Sequence, residues 1–68
     1  MDILACDIKV GDIIEPTWNS WRNFEAFTVA AVSEFRRSDG TEFVRYIDTN
    51  GVDGSVKKFH HCKLVGMA

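Results

Sequence analysis

Three pairs in which aspartate or asparagine precedes glycine, Asp39-Gly40, Asn50-Gly51 and Asp53-Gly54, punctuate the second half of this chain. Pairs of this kind tolerate the positive φ that tight hairpin turns demand. The segments around them are runs of β-branched and aromatic residues, and no apolar period near 3.6 is sustained long enough to make a helix. A chain so patterned folds as a meander of short strands. Gly11 lets the backbone bend into a first strand over residues 12–17, where Pro16 ends pairing or confines it to an edge. "FTVAAVSEF" is the second strand, with Phe27, Val29, Ala31 and Phe35 on one parity and Ala30 and Val32 on the other. Apolar residues on both parities imply a bulge or strong twist that moves side chains from one face to the other. "EFVRYID" is the third strand, "TNGVDGS" a turn and "SVKKFH" the fourth strand. "HCKLVGM" closes the unit through a 3₁₀ turn and a last strand ending at Leu64 and Val65.

At 68 residues the expectation is one domain spanning 1–68, all-β and five-stranded, with a long loop between strands one and two. With 46% hydrophobic residues and a formal net charge of −2, the composition is that of a folded globule. No apolar run reaches the length of a membrane span. "MDILACDIKVGD" carries three aspartates and lacks the basic opening of a signal peptide, so a cytoplasmic protein is expected. Charge is uneven along the chain: residues 1–35 sum to −4 and the remainder to +2.

"VGDIIE", the aromatic loop, "AAVSEF", "VRYIDTNG" and "CKLVG" resemble the successive strands of SH3-like barrels of the Tudor and KOW type. In Tudor domains the strand resembling "VRYID" is usually followed by an aromatic that helps enclose a methylated side chain; Thr49 stands at that position here. The chain is also similar to the plasmid-borne type II dihydrofolate reductases, through its "GD", a loop tryptophan, and Gly54, Ser55, Val56, Phe59 and Leu64. Those enzymes line a shared pore with glutamine, isoleucine and tyrosine after the "GSV" valine, whereas this chain has Lys57, Lys58 and Phe59. That resemblance implies an architecture and not the activity.

The feature with functional colour is "EPTWNSWRNFEAF", where Trp18, Trp21, Phe24 and Phe27 recur every third position among polar residues. Phe27 reads as core. Trp18, Trp21, Arg22 and Phe24, with Tyr46, read as a surface for another protein, because indoles combine large apolar area with a hydrogen-bond donor. The competing reading is a small barrel that binds single-stranded RNA or DNA, with Arg36, Arg37, Arg45, Lys57, Lys58 and Lys63 as a basic strip beside stacking aromatics. A sequence pI near 5.5 weighs against it.

Catalysis and cofactors are not expected. Adjacent His60 and His61 on extended chain point to opposite sides, so only one of them can join Cys62 or Cys6 around a metal. No glycine loop cradles phosphate, and neither cysteine has a base placed by sequence. Without a secretion signal, Cys6 and Cys62 are expected as free thiols rather than a disulfide. The expected protein is thus a non-enzymatic binding module, a small regulator or inhibitor of a larger machine, working as a monomer or small homo-oligomer.

Overall fold

The computed structural model describes residues 1–17 and 25–67. Its strands are β1 (Asp2–Leu4), β2 (Asp12–Glu15), β3 (Phe27–Arg36), β4 (Glu42–Asp48), β5 (Asp53–Lys57) and β6 (His61–Met67), with one 3₁₀ turn at Ala5–Asp7. They form a single antiparallel sheet in the order β1-β6-β2-β3-β4-β5.

The all-β expectation holds, with six strands among the described residues where five were expected. The additional one, β1, is three residues long and shows no alternation; it is a strand because β6 pairs with it, Ile3 opposite Cys62. The 3₁₀ turn expected before the last strand lies instead after β1. β6 continues without a turn: β1 pairs with His61, Cys62 and Lys63, and β2 with Lys63, Leu64, Gly66 and Met67, which leaves Val65 as an inserted residue. Among the described residues the sheet does not close into a barrel, and β1 and β5 are its edges. The 3₁₀ turn ties one end to the other: Ala5 N–H donates to the His60 carbonyl at 2.8 Å and Cys6 N–H to the Lys58 carbonyl at 3.0 Å.

Gly40 and Gly51 take φ of 91° and 80°, as their turns require. Each turn is also held by a carboxylate. Asp39 Oδ1 accepts the Thr41 N–H at 2.9 Å, which lowers the Asp39 pKa, and Asp48 Oδ1 accepts from Asn50 and Val52 at 2.8 and 3.1 Å. This accounts for the burial of Asp48, an acceptor shielded together with its donors. Asp53-Gly54 is not a turn. Both residues lie within β5, with Gly54 opposite Tyr46.

The core gathers Ala5, Ile8, Ile14, Phe27, Val29, Val44, Tyr46, Val56 and Cys62. The mixed parity of β3 has the expected cause. Val29 pairs with Asp48 and Ala31 with Ile47, so Ala30 is an inserted residue. Phe27 and Val29 therefore face the core. Beyond the insertion, Ala31 and Phe35 lie on the outer face, and Val32 takes the core side opposite Tyr46.

Both cysteines are free. Cys62 is fully buried, and burial, reinforced by the carboxylates of Asp12, Asp2 and Asp7, pushes its thiol from 9.0 to about 11. Cys6 is half-buried. A thiol-specific reagent at about pH 8 is expected to label Cys6 at least about ten-fold faster than Cys62, because reaction needs an accessible thiolate. Equal rates in the folded protein, read by mass spectrometry after quenching, would contradict the burial of Cys62.

Candidate interaction surface

Two chain reversals come together at one end of the sheet: the β3–β4 hairpin tip around Gly40 and the turn between β5 and β6. Between them Gly40, Thr41, Glu42, Lys57, Lys58, Phe59 and His60 line an open groove of about 430 Å³. Phe59 is 67% exposed, on a turn fixed by the His60 N–H donating to the Lys57 carbonyl at 3.0 Å. Polar turn geometry rather than packing places this ring in solvent.

Two of its lining residues, Glu42 and Lys58, belong to an ion cluster. Lys58 Nζ lies 2.9 Å from Glu42 Oε2 and 3.3 Å from Glu34 Oε1, and Arg36 reaches the other Glu42 oxygen at 3.4 Å. Hydrogen bonding from Lys58, then its charge, holds the Glu42 carboxyl below its ordinary 4.5, while Glu42 and Glu34 raise Lys58 above 10.5. The ammonium also sits 5.6 Å from the centre of the Phe59 ring.

On the outer face, Phe35 and Phe43 stack with centroids 5.3 Å apart, and the Arg37 guanidinium covers Phe43 at 4.4 Å. Lys57 is opposite Phe43 in the next strand and shares that face. Arg45, also there, binds Asp53 at 2.8 Å and depresses that carboxyl below 3.8.

The residues singled out from sequence fall into three groups. Trp18, Trp21, Arg22 and Phe24 lie outside the described residues. Thr17, the last described residue before them, donates its hydroxyl to the His61 carbonyl, close to the turn carrying Phe59 and His60. Tyr46, expected at the contact surface, is 7% exposed and stacks on Phe27 with centroids 4.9 Å apart. Its even parity on β4 places it with Val44 against the core, which the period-two pattern of "EFVRYID" already contained.

The basic residues do not line up as one strip. Arg36 and Lys58 share Glu42, Arg45 holds Asp53, and Arg37 lies on a ring. Lys63 is flanked in the ladder by Asp2 on β1 and Glu15 on β2. Cross-strand neighbours thus intersperse negative charge among the cations. Sequence reading passed over Phe59 as an exposed ring; the signal was its place after Lys57-Lys58 and before two histidines, a polar setting for a large apolar side chain.

Among the described residues no three His, Cys, Asp or Glu side chains gather as a metal site, and no helix is long and apolar enough to cross a membrane. Comparison with protein-family models, curated proteins and solved structures gives no match.

Proposed function

We propose that this chain is a non-enzymatic binding domain of SH3-like type whose partner is another protein, and that it acts as a small regulator of that partner. The meander β2-β3-β4-β5, with a long connection between β2 and β3 and β6 returning beside β2, supports an SH3-like strand order in an open sheet. One observation carries the functional reading: an exposed aromatic, Phe59, rims an open groove in which Lys58 is paired with Glu42 and Glu34 and Lys57 alone has no ion pair among the described residues, beside Thr17, the last described residue before the tryptophans. An apolar ring beside largely paired charge suits a protein surface with an apolar anchor and a polar rim. A phosphate backbone instead wants uncompensated cations. In this reading Trp18, Trp21, Arg22 and Phe24 supply the contact, and Tyr46 is a core residue rather than part of it.

The test uses the tagged chain and its Trp18→Ala and Trp21→Ala variants as bait, with nuclease-treated lysate. Capture of a protein is expected to fall at least about ten-fold in each variant, as for hot-spot aromatics. Melting temperatures should stay within a few degrees, as for surface changes. Nuclease-sensitive capture would replace this reading with nucleic-acid binding. Large destabilisation by both substitutions would return the indoles to the core.

A further inference from the structure

β5 is an edge strand, paired only with β4 among the described residues. The bonds at its two ends show which backbone groups are left over. Asp48 N–H donates to the Val52 carbonyl at 2.9 Å, and Lys58 N–H to the Glu42 carbonyl at 3.1 Å. Residues 52, 54, 56 and 58 therefore turn their backbone groups toward β4. By the alternation of an antiparallel ladder, the groups of Asp53, Ser55 and Lys57 point away from the sheet.

Open edges are usually blunted by proline, a bulge or charge that repels a second strand. β5 has no proline and keeps an unbroken register with β4. Its charges are opposite in sign and symmetric about Ser55, with Asp53 two residues before and Lys57 two after. All three side chains are exposed. Lys57 has no ion pair among the described residues, and Asp53, bound to Arg45, keeps acceptor capacity for a second cation.

We infer that β5 is a self-association edge that pairs antiparallel with β5 of a second copy, about a two-fold axis through Ser55. In that register Ser55 meets its own symmetry mate and exchanges both backbone bonds with it. Asp53 of each copy faces Lys57 of the other, which makes two equivalent ion pairs. On the core side Gly54 lies opposite Val56, so no large side chain opposes another. The two sheets become one continuous sheet. Because the edge is short, the contact area is small and the dimer is weak and concentration-dependent.

Sedimentation equilibrium of the isolated chain tests this. Between roughly 10 µM and 1 mM, the range of weak contacts, the mass is expected to rise from 7.7 kDa toward twice that value. Lys57→Asp and Asp53→Lys each place like charges in both cross-strand pairs, and each should weaken association at least about ten-fold. An equimolar mixture of the two variants should associate again, because each chain then meets opposite charge. The chain carrying both substitutions should self-associate like the original. Circular dichroism checks that every variant is folded. A folded chain that stays at 7.7 kDa throughout, association that ignores both substitutions, or a mixture that stays monomeric would overturn the inference. The assay contains this chain alone, so its outcome is independent of whether a foreign partner is captured.

Discussion

Ile14→Ala is expected to remove about 2–5 kcal/mol of folding stability, the range for truncating a buried aliphatic side chain to alanine. Ile14 has no exposed surface, faces Phe27 on β3 and Leu64 on β6, and sits on the strand that joins β1-β6 to β3-β4-β5. The cavity would therefore open where the two parts of the sheet are held together. A domain of this size has roughly 3–10 kcal/mol in total, so the loss is a large fraction of it. At about 4–8 °C per kcal/mol for small domains, the melting temperature should fall by roughly 8–40 °C. Ile13→Ala is the control. Ile13 is half-buried on the opposite face, against Gly66, and its truncation should cost about 1 kcal/mol, the usual size for a point substitution. Urea unfolding of both variants measures the contrast. Equal losses would mean that β2 does not present Ile14 to the core.

Gly54→Ala should cost about 1–3 kcal/mol, the range for overpacking a filled site. A Cβ at Gly54 would lie 2.5 Å from Tyr46 Oη and 2.7 Å from Cζ. The Tyr46 ring has little room to retreat, since it is buried and stacked on Phe27. The choice of substituent separates this account from the turn reading of Asp53-Gly54. A turn position with positive φ accepts asparagine, whereas contact with Tyr46 rejects Gly54→Asn at least as strongly as Gly54→Ala. The contact also couples the two residues: a double-mutant cycle of Gly54→Ala with Tyr46→Phe should show an interaction of at least about 0.5 kcal/mol. Additive losses, or a neutral Gly54→Asn, would remove the steric explanation.

Much of the strand pattern was legible in the chain. "EFVRYID" is β4 residue for residue, β2 begins at Asp12 as expected, and Gly40 and Gly51 occupy the turns their asparagine or aspartate neighbours announced. The same dipeptide signal misread Asp53-Gly54, because glycine is also chosen where a neighbouring ring needs the space of a Cβ. β1 was missed since three residues carry no periodicity, and their pairing depends on a strand more than fifty positions away. The interaction surface was less legible than the fold. Tyr46 has the composition of a contact residue and the parity of a core residue, and parity prevailed. The cations read as a strip only while their cross-strand carboxylates were out of view. Linear order does not reveal that Arg45 meets Asp53 or that Lys58 meets Glu34 and Glu42.

Local chemistry was enough to settle where this backbone reverses and which stretches extend, since turn glycines and β-branched side chains act on their own φ and ψ. Strand order, the inserted Ala30, the pairing of charges and the two unpaired edges were settled by packing. They depend on which distant segments meet, and the energy of those meetings appears only after the sheet has curled around Ile14, Val29, Val44 and Cys62.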